Sequence, residues 1–175
     1  MARLFFPAIC LMLLCFSGAF AQKNELSLII GGGRISEGDK ADAVPAWTFA
    51  YARSIVGGLA VEGSLDLFYV REPGFGLDDY GSAQIGVLYH FVPITKDKTV
   101  IPYITAAVGE ASTDFTEIPT EPIYRFGGGV KYYFGNESPF GIRVELNSET
   151  TRKGPFDSSP RLSLVSVRAG ITWRF

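Results

Sequence analysis

The stretch Leu59-Ala60-Val61-Glu62-Gly63-Ser64-Leu65-Asp66-Leu67-Phe68-Tyr69 decides the fold. Leu59, Val61, Gly63, Leu65, Leu67 and Tyr69 share one parity; Ala60, Glu62, Ser64, Asp66 and Phe68 share the other. Apolar residues at every second position match a strand, whose side chains alternate between two faces, rather than the period of about 3.6 that a helix shows. The same rhythm sets Ala83, Ile85, Val87, Tyr89 and Phe91 against Ser82, Gln84, Gly86, Leu88 and His90. It sets Tyr124, Phe126, Gly128, Val130, Tyr132 and Phe134 against Arg125, Gly127, Gly129, Lys131 and Tyr133. Counting back from Phe175, the residues Trp173, Ile171, Ala169, Val167 and Val165 oppose Arg174, Thr172, Gly170, Arg168 and Ser166. Looser runs at 25–34, 46–54, 100–109 and 140–148 complete eight predicted strands, and a helical domain finds no place.

The connections alternate in length. Residues 35–45, 71–80, 110–122 and 149–161 are long and polar, 55–58 and 135–139 are short, and 92–99 is intermediate. That interleaving predicts an all-β, eight-stranded antiparallel up-and-down barrel with four long outer loops. Glu149 falls in the last of these loops.

Composition narrows the class. The 175 residues suit one domain; 47% are apolar, 19% are charged and the formal net charge is −2. Such a chain is neither disordered nor collagen-like, and its near-neutral balance gives no electrostatic reason to expect nucleic acid. Beyond residue 21 no apolar run approaches the ~20 residues of a membrane-spanning helix. Before it, Arg3 precedes a stretch from Leu4 to Phe16 that is apolar throughout except for Pro7, and Ala19-Phe20-Ala21 supplies a small-residue cleavage site. Residues 1–21 are therefore predicted to be a secretory signal peptide and 22–175 the barrel domain. Cys10 and Cys15 both lie in the leader, preceded by Ile9 and Leu14 rather than by the small residue of a lipoprotein site. A cysteine-free mature chain excludes disulfides and thiolate metal sites.

Which face points inward decides between a soluble and a membrane barrel. An eight-stranded barrel encloses little more than one layer of side chains or one small ligand. The apolar face carries Trp47, Phe49, Tyr51, Tyr89, Phe91, Phe126, Phe134 and Trp173 among others, which would overfill that space. Turned outward, it becomes a lipid-facing band with aromatics towards both strand ends. The opposite face then lines the lumen with Glu62, Asp66, Arg125, Lys131, Arg143, Glu145 and Arg168, together with Arg174. Buried ions persist only when paired, so these are expected to form a structural charge network that closes the lumen. A narrow pore for water, ions or small solutes is the alternative. Arg53 shares the outward face with Tyr51 near a strand end, where it is placed to snorkel.

At this point the chain resembles the small eight-stranded outer-membrane β-barrels of the OmpA-type and opacity-protein family. The resemblance rests on the closing strand Ala169-Gly170-Ile171-Thr172-Trp173-Arg174-Phe175, on Pro102-Tyr103, on Phe126-Gly127-Gly128-Gly129-Val130 and on Gly141-Ile142-Arg143-Val144-Glu145. It implies insertion into bacterial outer-membrane lipid and recognition of Phe175, Trp173 and Ile171 by the barrel-assembly machinery. The 92–99 turn, with Lys96, Asp97 and Lys98, is longer than the family usually shows. Lipid A deacylases resemble the same fold but use a His and a Ser two apart, with a Glu near the outer rim. Here the single histidine, His90, is followed two positions on by Val92 and is predicted at the other rim.

No catalytic, cofactor-binding or metal-binding set emerges. Gly31-Gly32-Gly33 and Gly127-Gly128-Gly129 lack the spacing of a phosphate cradle and sit in strands, where glycine makes room for curvature or a large neighbour. Asn136-Glu137-Ser138 reads as a turn. The expectation is a non-enzymatic barrel whose outer loops serve envelope stability, adhesion or contact with a surface ligand that the sequence does not name. A lipid A-modifying enzyme is the remoter alternative.

Overall fold

In a computed structural model of the protein, the described residues are 24–37, 40–72, 76–97, 99–112, 121–135, 137–151 and 162–175. The predicted leader, 1–21, lies outside them. The strands are β1 (Asn24–Glu37), β2 (Lys40–Val56), β3 (Leu59–Glu72), β4 (Gly76–His90), β5 (Val100–Ser112), β6 (Glu121–Tyr133), β7 (Phe140–Thr151) and β8 (Leu162–Arg174). Each pairs antiparallel with its sequence neighbours, and β1 closes on β8 with Leu26 opposite Trp173 and Leu28 opposite Ile171. No helix among the described residues is long and apolar enough to cross a membrane.

The sheet is polar inside and apolar outside. Ile171 and Phe126 are each 64% exposed on the outer surface, whereas Lys131 and Arg168 are fully buried within. Arg53 keeps its place on the outward face, half-buried at the end of β2.

One rim carries the short connections and the paired ends Asn24 and Phe175; it is called the turn rim below, and the opposite one the loop rim. At the turn rim Gly57 and Gly58 have φ of 57° and 86°. Positive φ at both central residues is the two-residue hairpin turn whose twist matches its flanking strands. The longer 92–99 connection is held by its own side chains. The Thr95 hydroxyl accepts from the backbone N–H of Thr99 and Val100 at 3.0 and 3.1 Å, and Asp97 accepts from the Thr99 hydroxyl at 2.9 Å. Hydroxyl hydrogen bonds from Thr95 and Thr99 hold the exposed Asp97 carboxyl below its ordinary range.

At the loop rim the structure corrects the expected loops. β1 and β2 pair as far as Glu37 opposite Lys40, and β3 and β4 as far as Glu72 opposite Gly76. Most of 35–45 and 71–80 is therefore strand. Beyond an apolar band neither face of a strand need be apolar, so the alternation that marks a strand fades there while the pairing continues. Of the other two expected loops, 110–112, 121–122 and 149–151 are likewise strand, and 113–120 and 152–161 lie outside the described residues. Glu149 consequently sits within β7.

Candidate functional site

The lumen is built from the inward parity of all eight strands, and its charges meet in three tiers. Nearest the turn rim, Lys131 Nζ lies 2.5 Å from Glu25 Oε1, and the Tyr133 hydroxyl donates to Glu25 Oε2 at 2.7 Å. His90 borders this tier: its Nδ1 faces the Gly58 carbonyl at 3.2 Å and its Nε2 faces Lys131 Nζ at 3.0 Å.

In the middle tier Arg143 forks onto Glu62, with its two terminal nitrogens 2.5 and 3.2 Å from the carboxylate oxygens. Its Nε donates to Glu145 at 2.8 Å and to the Tyr103 hydroxyl at 2.9 Å, and that hydroxyl donates in turn to Glu145 at 2.8 Å. A bidentate guanidinium in a low-dielectric space fixes geometry as well as charge.

The third tier centres on Asp66. Arg168 approaches it at 2.7 Å and Arg125 at 3.3 Å, while Thr48 and Gln84 donate at 2.6 and 3.2 Å. Arg168 also holds Glu149, and Arg125 reaches down to Glu62 at 3.5 Å, joining the two upper tiers. Above them an apolar layer of Val44, Ala46, Phe68, Ala111, Ile123 and Leu164 covers the lumen towards the loop rim. The Phe68 ring stands 5.2 Å from the Arg168 guanidinium carbon.

Large side chains fit because glycines face them across the wall. A Cβ on Gly129 would lie 2.8 Å from the Tyr103 hydroxyl, and one on Gly31 would lie 3.0 Å from the Arg168 Cβ. Glu25, Glu62, Asp66, Glu145 and Glu149 thus meet Arg125, Lys131, Arg143 and Arg168, and except for Glu25 at 8% none of them is more than 2% exposed.

All seven residues predicted for the network line the lumen; six are joined by direct ion pairs, and Lys131 pairs instead with Glu25. Arg174 stands apart at the rim, its guanidinium carbon 4.1 Å from the Tyr133 ring centre and its Nε donating to the Ser138 carbonyl at 2.9 Å. Glu149 is a correction, since it is fully buried against Arg168 rather than in a loop. Glu25, Tyr103 and Tyr133 also belong to the network without having been predicted. Parity could have found Glu25 and Glu149, because Glu25 shares the face of Ser27 and Ile29, and Glu149 continues Arg143, Glu145 and Asn147. At the far end of β8 the Trp173 and Phe175 rings stack at 4.7 Å on the outer surface.

No protein-family model matches the chain, and no curated protein matches it in sequence. Solved structures do match in shape. Neisserial surface protein A superposes with a TM-score of 0.72 at 14% identity, covering 87% of this chain and 97% of that one. The protein has the fold of the small eight-stranded outer-membrane β-barrels. The N-terminal barrel domain of Pseudomonas aeruginosa OprF shares this fold with a TM-score of 0.51 at 14% identity, over 85% of this chain and 97% of that domain. So does the outer membrane enzyme PagL, with a TM-score of 0.50 at 16% identity, over 83% of this chain and 97% of that one. An outer-membrane barrel fold therefore accommodates catalysis in one neighbour. In this chain both ring nitrogens of His90 face groups of the turn rim, the Gly58 carbonyl and the Lys131 ammonium, rather than a serine hydroxyl.

Proposed function

We propose that the protein is an integral, non-enzymatic barrel of the bacterial outer membrane with a closed lumen, acting through its loop-rim surface in envelope stability, adhesion or ligand contact. The observation that carries this reading is the inversion of its surfaces. Large apolar side chains such as Val167, Ile171 and Phe126 are 60–64% exposed outside, while Glu62, Asp66, Arg143 and Arg168 are 2% exposed or less inside. In water such an exterior would aggregate; in a bilayer it is the lipid contact. Export would use residues 1–21 as a cleaved signal, leaving Gln22 first, and assembly would use the closing strand with Phe175, Trp173 and Ile171.

A closed lumen is favoured over a pore because each of the four cations meets carboxylates at contact distance and an apolar layer lies across them. Planar-bilayer recording of the refolded barrel tests this, and discrete conductance steps above the protein-free bilayer would replace the closed reading by the pore. Fractionation tests location: the protein should separate with the outer membrane, and its intact mass should begin at Gln22. Lipid A mass spectra from cells with and without the protein should coincide, and a lost acyl chain would overturn the non-enzymatic reading.

A further inference from the structure

The turn rim is apolar on one side. Val92 is 84% exposed, and Ile94 and Val56 are each 70% exposed, although all three lie at or beyond strand ends. Turn residues in water are ordinarily glycine, proline or small polar groups. The β6–β7 connection follows that rule, with Glu137 and Ser138 after Gly135. Large apolar side chains gathered on one side of a rim mark a contact.

Backbone register shows what this apolar side continues. The Phe91 N–H donates to the Pro102 carbonyl at 2.9 Å and the Ile94 N–H to the Val100 carbonyl at 3.0 Å, so the β4–β5 ladder runs on past His90. Ile94 thereby comes opposite Val100, which stands opposite the outward Tyr132. On the neighbouring turn Val56 is opposite Leu59, and Leu59 is opposite Tyr89. The two turns are joined where the His90 N–H donates to the Gly58 carbonyl at 2.8 Å. The Tyr89 and Phe91 rings meet edge to face at 5.2 Å between them. Val56, Leu59, Tyr89, Phe91 and Ile94 are therefore one outward surface, continuous with the face read above as the lipid contact.

The far edge of that surface carries a cation. Lys96 is exposed and makes no ion pair among the described residues, while the neighbouring Asp97 accepts from the Thr99 hydroxyl at 2.9 Å. The Thr95 hydroxyl, bonded to the N–H groups of Thr99 and Val100, already fixes the shape of the turn, so Ile94 and Lys96 are presented without further ordering. Apolar side chains followed by a long cation match the boundary of a bilayer, where acyl chains give way to phosphate. We propose that the β2–β3 and β4–β5 turns form an interfacial foot. Val56, Val92 and Ile94 enter the acyl boundary of the adjoining leaflet, and the Lys96 ammonium rests on a phospholipid phosphate. The barrel sits deeper on this side than at Glu137. The proposal rests on the membrane-barrel reading above and adds to it a lipid site at one rim.

The test uses the barrel refolded into nanodiscs of phosphatidylcholine, with or without phosphatidylglycerol. Beyond residue 21 the chain has no cysteine, so single nitroxide labels can be carried by Ile94→Cys, Glu137→Cys and Leu67→Cys. Relative to a water-soluble nickel chelate, bilayer oxygen should reach the label at 94 several-fold more often than the label at 137. Adding phosphatidylglycerol should raise that ratio at 94, because an anionic surface attracts Lys96, and Lys96→Gln should abolish the rise. A label at 94 as open to nickel as the label at 137 overturns the inference. So does a response to phosphatidylglycerol that Lys96→Gln leaves intact. The label at 67, on the outer face of β3, separates this failure from a wider one. Nickel access at both 67 and 94 overturns the membrane barrel itself, whereas access at 94 with 67 shielded overturns the foot alone. Should Lys96→Gln fail to refold, the ratio at 94 against that at 137 decides alone.

Discussion

Arg168 on β8 crosses the lumen to Asp66 on β3, and their charged atoms meet at 2.7 Å with neither side chain exposed. Strands β8 and β3 do not pair, so this contact ties together walls that backbone hydrogen bonds leave separate. Desolvating each ion is costly, and the cost is recovered only while the partner stays. Asp66→Asn should therefore destabilise the barrel by about 3–5 kcal/mol in urea titration, and Arg168→Met by a similar amount. Because the two side chains touch, the double variant should lose less than the sum of the singles. Strict additivity would show that the two groups do not act as a pair.

Glu149 provides a second test, because its placement reverses the sequence-based expectation. Had it lain in a loop, Glu149→Gln would be nearly silent beside Glu145→Gln. Fully buried against Arg168, with Gln84 donating to its other oxygen at 3.3 Å, it should matter as much. Each substitution removes a charge-assisted bond worth about 1.5–3 kcal/mol. A wild-type unfolding midpoint for Glu149→Gln would contradict the buried placement.

The strands, their order and their two faces were legible because alternation is a local signal that repeats over many residues. Leu59 to Tyr69 needs no partner to declare its parity. What the sequence left hidden lies where alternation weakens. Residues 35–37 and 40–45 mix small, charged and turn-forming residues with no run of large apolar side chains at alternate positions, so they read as loop, although they pair in β1 and β2. Glu149 was lost for the same reason, standing three residues past Leu146 beyond the last large outward apolar side chain of β7. The seven predicted lumenal residues could be named from parity alone, but not their partners. That Tyr103 would mediate between Arg143 and Glu145 depends on Gly129 leaving room for it, a relation between β5 and β6 that no single strand displays.

His90 should show a defined tautomer. Its Nδ1 is placed to donate to the Gly58 carbonyl, which leaves Nε2 to accept from the Lys131 ammonium. Nitrogen-15 spectra of the refolded barrel should report a neutral ring with the proton on Nδ1. Lys131→Met should shift the Nε2 resonance while leaving Nδ1 nearly unchanged. A proton found on Nε2 would contradict the contact with Lys131.

Removing Phe175 should lower the amount of folded barrel in the outer membrane. Its backbone exchanges hydrogen bonds with Asn24 in both directions, at 2.8 and 2.9 Å, where the first and last strands close. Its ring stacks on Trp173, so the deletion removes both a closing pair and an outward aromatic. Heat-modifiable gel migration of the membrane fraction measures the folded share. An undiminished folded band would show that the closing strand assembles without it.

The face assignment underlies every other expectation, and it can be tested directly on β3. Val61 and Ser64 lie three apart in one strand and so point to opposite sides of the sheet. In the barrel Val61 is partly exposed outward, whereas Ser64 is 1% exposed beside Asp66 and Arg125. Nitroxide labels placed one at a time on cysteines introduced at 61, 65 and 67 should be reached by oxygen dissolved in the bilayer. A label at 64 should be shielded from it. Val61→Arg offers an energetic check, since a cation facing hydrocarbon costs roughly 2–4 kcal/mol near the midplane and less towards the interface. A register slip of one residue would exchange the two sets of labels, because the side-chain period of a strand is two. A barrel whose apolar face met water would show no preference for bilayer oxygen at any of these sites, and Val61→Arg would then be tolerated.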